Sequence, residues 1–351
     1  MDESECVAFA DNTVQDSLSQ FLPPPLLTQA LPPMPRPPRV VRDGIRAHRG
    51  HPAGARRAVA LVSAALVALP IVPASARAQR ERLVLRVDAF GGTGITAPSR
   101  TTPNGDVTQR SVQLQAAHRI LLDGGNTMLL LGAQYRGVRV TLPTAAGTPS
   151  GAPTDLHVAA ADLWLLRTLD DRHTLVTVLR PGLYGDLDDA GAQFRTEGAL
   201  FVDRILSPRT TVGVGLSYGS SFGRVLPIPV VHVVARPRRR LLLDALLPAR
   251  ADLWWMPRKG LDLGLGAGLV GAQYGVAGAN RLVAGADALW LANATIGPQL
   301  RWAPQGGKLQ LTADGGATVL RRLRYARGGT ELADLAPGNV LFGRAGVQWL
   351  F

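Results

Sequence analysis

From Arg82 to its last residue the chain alternates apolar and polar positions with a period of two. Successive side chains of a strand point to opposite faces, so this pattern gives a sheet one greasy side and one wet side. Leu83, Leu85, Val87 and Ala89 fall on one face of the first segment, with Arg82, Arg86 and Asp88 on the other. In 286–302, Ala288, Trp290, Ala292, Ala294, Ile296, Leu300 and Trp302 oppose Asp287, Asn293, Thr295, Gln299 and Arg301. In 308–318, Leu309, Leu311, Ala313 and Ala317 oppose Lys308, Gln310, Thr312 and Asp314. Runs of about ten alternating residues suit a tilted strand with lipid on one side and an enclosed interior on the other. A soluble barrel or sandwich alternates too, with its greasy side inward.

Three further features favour the membrane. The first is an export signal. Arg56-Arg57 supply a positive start, Ala58 to Val72 an apolar run, and Ala76-Arg77-Ala78 a small-x-small cleavage site before Gln79. The run holds only about 15 residues and contains Pro70, whereas a helical span needs about 20. An uncleaved anchor is the alternative. The second feature is the chain end, where Leu341, Ala345, Val347, Trp349 and Phe351 share one face. An aromatic terminal strand is unusual in a soluble protein. It resembles the C-terminal signal by which outer-membrane barrels reach their assembly machinery, with Val347, Trp349 and Phe351 carrying the likeness.

The third feature is the order of the breaks. Outer-membrane barrels have short periplasmic turns and longer external loops. Here long breaks (91–107, 143–155, 187–193, 219–224, 276–285, 323–338) alternate with short ones at 123–126, 170–173, 207–209, 236–238, 257–260 and 304–307. The order holds throughout if the chain also turns tightly at Leu247-Pro248. That predicts an all-β fold: a closed antiparallel transmembrane up-and-down β-barrel of about fourteen strands. If 241–256 is one strand, twelve is the second choice. The domain reading is a Pro/Arg-rich disordered segment at 1–55, a signal peptide at 56–78 and the barrel at 79–351. A translation start downstream of Met1 would explain why a signal lies so far into the chain.

Composition narrows the classes. A hydrophobic share of 46% with 18% charged residues is too greasy for a disordered chain. Outside the signal no long uncharged run exists for a helical membrane protein. The net charge of +12 raises nucleic acid as a partner, but the arginines are scattered and lack interleaved stacking aromatics. Lipopolysaccharide phosphate is the better acidic partner, with Arg321, Arg322, Arg324 and Arg327 as candidates beside the last external loop; a solvated loop is the plain alternative. The single cysteine, Cys6, precedes the signal, so the expected mature chain has no disulfide and no thiol nucleophile.

The segment 227–274 carries Pro227-Ile228-Pro229, a basic turn, Leu243-Asp244-Ala245-Leu246-Leu247-Pro248, Asp252-Leu253-Trp254-Trp255-Met256-Pro257 and a Gly-alternating strand to Tyr274. It resembles an uncharacterised family of bacterial outer-membrane barrels, a domain of unknown function. The resemblance implies the fold and an outer-membrane location in a Gram-negative-type bacterium. It implies no catalytic residue.

The search for chemistry returns little. Gly266-Ala267-Gly268-Leu269-Val270-Gly271 has dinucleotide-loop spacing but sits inside an alternating strand with no helix after it, so no cofactor is expected. Gly264, Gly266 and Gly268 are read as inward positions whose missing side chains leave room in the lumen or relieve strand crowding. His118, His157, His173 and His232 show no ligand spacing, so no metal is expected. Ser217, Ser220 and Ser221 with His118 and Asp162 could form a nucleophile and its partners, but nothing in sequence joins them. The expected inward residues are Arg86, Asp88, Gln113, Gln115, Asp162, Asp262, Asp287, Asn293, Gln299, Arg301, Gln310, Asp314, Arg344 and Gln348. Their mixed charges fit either an ion-pair network that plugs the barrel or a weakly selective aqueous pore. The leading expectation is a non-enzymatic barrel acting as a passive pore or structural envelope component. A barrel enzyme acting on lipid or peptide, and a soluble periplasmic β-domain on an anchor, are the alternatives. Oligomeric state is left open.

Overall fold

A computed structural model describes residues 82–90, 107–141, 154–186, 191–219, 226–276, 283, 285–304 and 308–350; of 82–90 and of Leu350 only the backbone is described. The expected head, signal peptide and cleavage residues Ala76 and Ala78 lie outside these residues, as do Ser220, Ser221, Phe351 and the side chains of Arg86 and Asp88.

Among the described residues, fifteen strand segments follow one another. The first six are β1 (Arg82–Phe90), β2 (Thr108–Leu122), β3 (Thr127–Thr141), β4 (Thr154–Thr168), β5 (His173–Gly185) and β6 (Gln193–Ser207). Next come β7 (Thr210–Gly219), β8 (Leu226–Arg238), β9 (Leu241–Leu247), β10 (Arg250–Arg258) and β11 (Leu261–Gly275). The last four are β12 (Ala288–Trp302), β13 (Leu309–Arg327), β14 (Thr330–Leu335) and β15 (Leu341–Leu350). Neighbours pair antiparallel, and β1 pairs with β15 from Arg82↔Leu350 to Phe90↔Phe342, which closes the ring. The long β13 pairs with β15 through Ala317↔Leu341 and with β14 from Leu323↔Leu335 onward. β14 and β15 therefore share one place in the wall, and the barrel has fourteen staves.

The expected turn at Leu247-Pro248 is present, and Ala249 N–H donates to the Leu246 carbonyl at 2.8 Å. Short turns gather at the end that holds the start of β1 and the end of β15, called the near end below. The expectation for the last loop fails. The loop predicted over 323–338 is instead a hairpin, because Gly328 and Gly329 take φ of 54° and 85°. Both central residues of such a tight turn need positive φ. Cross-strand pairs Arg324–Glu331 at 2.9 Å and Arg322–Asp334 at 2.9 Å hold its arms.

The greasy side of the wall faces outward. Phe194, Val214, Leu216, Leu265 and Leu341 are all more than half exposed, while Gln113, Gln115, Gln310 and Gln348 are buried. A soluble barrel would show the reverse. Trp255, Trp302 and Trp349 stand outward near the near-end rim, at 52%, 45% and 56% exposure. Phe194 and Tyr218 stand outward at the far end of β6 and β7. Two aromatic belts separated by an apolar band mark the limits of the hydrocarbon.

Among the described residues the wall is interrupted beside β9 and β10. β9 and β10 have only seven and nine residues, and β9 reaches β8 no farther out than Val231↔Leu247. Above that level Leu226–Val230 of β8 pair with β7 alone. On the other side of the gap, β10 meets β11 no farther than Arg250↔Gly268. Unpaired amides at membrane depth are costly. Arg236 N–H donates toward the β7 side, to the Arg209 carbonyl at 2.8 Å. In the alternating ladder, odd-numbered residues of β8 therefore direct their N–H to the open edge. At the open level those residues are Pro227 and Pro229, which have no N–H.

Candidate functional site

Among the described residues, buried polar and charged groups gather in the enclosed interior, so the site is built from the inward faces of the staves. At the far end the barrel is pinched. β5 and β11 are separated by several staves, yet Gly185 and Gly275 meet in parallel register, and Asp186 N–H donates to the Gly275 carbonyl at 3.1 Å. A Cβ on either glycine would collide with backbone of the opposite side, so glycine is required for this closeness. Around the contact, Val138, Val140, Leu156, Val158 and Tyr184 of one wall pack against Ala272, Tyr274, Leu289, Leu291 and Tyr325 of the other. Arg195 of β6 also donates to the Gln273 side chain at 2.5 Å.

Below this apolar layer lie buried ion pairs. Asp162, fully buried, accepts from Arg180 Nε at 2.5 Å and from Gln115 Nε2 at 2.9 Å. Glu197 faces Arg180 in register. On the opposite wall Arg250 pairs with Asp244 at 3.1 Å and Asp252 at 3.3 Å, and Arg344 with Asp314 at 2.8 Å. Arg301 lies 3.8 Å from Asp262, with its guanidinium 3.9 Å over the Trp254 ring. Between these pairs is a cavity of about 90 Å³ beside Gly268, Thr295, Gln299 and Arg344. Gly264 and Gly266 do not open it: the Trp254 ring occupies the place of one Cβ, and Gln299 with Asp252 that of the other. Toward the near end, Trp164, Val176, Phe201 and Leu246 form a second apolar layer.

The residues singled out from sequence are placed as follows. Asp162, Asp262, Gln299, Arg301, Asp314 and Arg344 enter the ion-pair layer just described. Asn293 reaches across to Gln109 Oε1 at 3.1 Å, while Gln310 and Gln348 are buried and paired in register between β13 and β15. Register places Arg86 and Asp88 opposite Gln113 and Ser111. Asp287 stands at the far rim, where its carboxylate accepts Gly328 N–H at 2.8 Å. Val347 and Trp349 are exposed on the outer face. Ser217 and Asp162 are buried on β7 and β4, and His118 lies on β2. No hydrogen bond among the described residues links the three. No group of three His, Cys, Asp or Glu among them could hold a metal.

Of the four arginines near the last hairpin, Arg321 is buried and donates to the Val107 carbonyl at 3.0 Å. It turns inward because a bulge at Val319 and Leu320, both exposed, shifts the parity of β13. Sequence reading missed Arg136, Arg180, Glu197, Arg250 and the pair Asp203–His232. Arg180 shares alternate positions with Val176 and Val178, a signal that was there to be read; the partners across non-adjacent staves left none.

No family model matches the chain, and no curated protein does. Among solved structures it is similar to a Pseudomonas aeruginosa FadL homologue, at 10% identity and TM-score 0.42, over 78% of this chain and 90% of that one. It is also similar to the TodX monoaromatic hydrocarbon channel in a deletion mutant, at 8% identity and TM-score 0.44, over 78% and 89%. A third is the translocator domain of the autotransporter NalP from Neisseria meningitidis, at 13% identity and TM-score 0.33, over 85% and 96%.

Proposed function

We propose that this chain is an outer-membrane barrel of a Gram-negative-type bacterium that is closed by its own side chains, an envelope component with no catalytic centre rather than an open passive pore. The observation that carries the reading is the contact of Asp186 with Gly275 across the lumen, sealed by apolar residues from both walls. A layer of buried, mutually paired charges beneath it adds a second barrier. Lipid and lipopolysaccharide are the surrounding partners, and the barrel assembly machinery acts on the Val347–Trp349 end. The family resemblance of 227–274 agrees with this. Planar-bilayer recording tests it: the purified barrel should give no steady conductance steps, and regular ohmic steps would overturn the closed reading.

A second reading rests on the wall gap between β8 and β11. An opening at hydrocarbon depth would admit apolar molecules sideways, without any aqueous passage. A membrane-soluble photoreactive alkane should then label the inward-facing Ile228 in addition to the outward Val231. Labelling confined to outward residues would discard this route.

A further inference from the structure

Arg136 is the anomaly of the interior. It is 5% exposed, yet no hydrogen bond or ion pair among the described residues engages its guanidinium. A buried cation without a counter-charge is among the most costly features a fold can carry. Every other charge at this depth on β4 and β5 is matched, Asp162 by Arg180.

Its surroundings are equally unsatisfied. Register sets Gln113, Arg136, Val158 and Tyr184 in one inward row across β2 to β5. Gln113 is 1% exposed and neither its amide nitrogen nor its amide oxygen has a partner. The Tyr184 hydroxyl, also buried, has none. Tyr274 of the opposite wall lies within electrostatic reach of Arg136. The row thus holds a guanidinium, an amide N–H₂ and a phenol O–H, all able to donate, with no carboxylate in register among them; Glu197, within electrostatic reach of Tyr184 and Tyr274, faces Arg180.

We propose that Arg136, Gln113 and Tyr184 form an internal binding site for a small monovalent anion, in the size range from chloride to acetate. A water molecule would satisfy the amide and the phenol but would leave the guanidinium charge uncompensated. An anion satisfies all three at once, and charge-assisted hydrogen bonds are the stronger kind. The row shares Val158 and Tyr184 with the apolar layer of the far end, so a bound anion would be a resident of the closed barrel.

The test is thermal unfolding of the purified barrel in a zwitterionic detergent, read by loss of its fast-migrating folded band. Ionic strength is held constant while sodium gluconate is exchanged for chloride, acetate or sulfate. The midpoint should rise with the logarithm of chloride or acetate concentration, as for any ligand that binds only the folded state. The chloride and acetate arms show whether a halide or a carboxylate is preferred. Arg136→Met should remove the dependence and, in gluconate, melt above the wild type because the unmatched charge is gone. Gln113→Leu should keep the charge but require about tenfold more anion, the loss of one hydrogen bond to a charged group. A wild-type midpoint indifferent to the anion, an equal rise with sulfate, or an unchanged slope in Arg136→Met would overturn the proposal. If Arg136→Met does not fold, an unchanged curve in Gln113→Leu overturns it.

Discussion

His232 and Asp203 stand on strands that do not touch, yet the imidazole Nδ1 lies 2.9 Å from the carboxylate, because the residue between them in register is Gly213. The pair is almost fully buried on β8 and β6, and the absent side chain on β7 is the channel through which it forms. A Cβ at Gly213 would overlap the Asp203 carboxylate.

Gly213→Ala is therefore expected to separate the pair. Separating a buried carboxylate from its hydrogen-bonding partner costs about 1–3 kcal/mol. Gly219→Ala, whose Cβ would meet Glu197 only at 3.6 Å, should cost far less. Urea titration of the folded band compares the two variants, and equal midpoints would refute the account.

The Asp162–Arg180 pair should show the asymmetry of buried ions. Arg180→Met alone strands a fully buried carboxylate and should destabilise by about 3–5 kcal/mol, while Arg180→Met combined with Asp162→Leu should recover most of the loss. A double-mutant cycle in urea measures the difference.

Depth in the bilayer fixes a third outcome. Val214 lies mid-strand on the outer face of β7, and Leu206 lies on the same face close to the near-end turn. Val214→Arg should cost about 2–4 kcal/mol, and Leu206→Arg about 0–1 kcal/mol. Refolding into vesicles of defined thickness gives both values. Similar penalties at both sites would contradict the outward placement of the apolar face.

One turn outside the membrane titrates. Asp170 accepts the backbone N–H groups of Arg172 and His173 at 2.8 and 2.9 Å and contacts the His173 ring. These bonds, that to Arg172 first, hold its carboxyl below the ordinary value of 3.8. Since the folded value is the lower one, the contribution is complete above pH 3.8 and fades as pH falls through the depressed value. Amide exchange of Arg172 should accelerate, relative to its intrinsic rate, only in that acidic range. In Asp170→Asn the acid-dependent step should vanish.

Much of the wall was legible in the sequence, because local rules govern it. Period two fixed which side of 288–302 faces lipid, and alternating break lengths required the turn at Leu247-Pro248. The interior was less legible. The Asn293–Gln109 bond joins residues 184 positions apart, and no local pattern encodes which non-adjacent staves a flattened barrel brings together. Arg321 was misplaced for a different reason: a single bulge reverses parity beyond it, and arginine-rich sequence conceals that step. Arg136 was passed over because its row is defined only once four strands are in register.

Pro227 and Pro229 give the gap in the wall a permanence that side chains alone would not. An edge that offers carbonyls but no amide hydrogens at those positions is a poor template for a visiting strand, whether from a second barrel or from an incoming peptide. Zipping the seam shut would require replacing both rings. The breach is thus written into the main chain itself, and repacking of neighbouring side chains would not heal it.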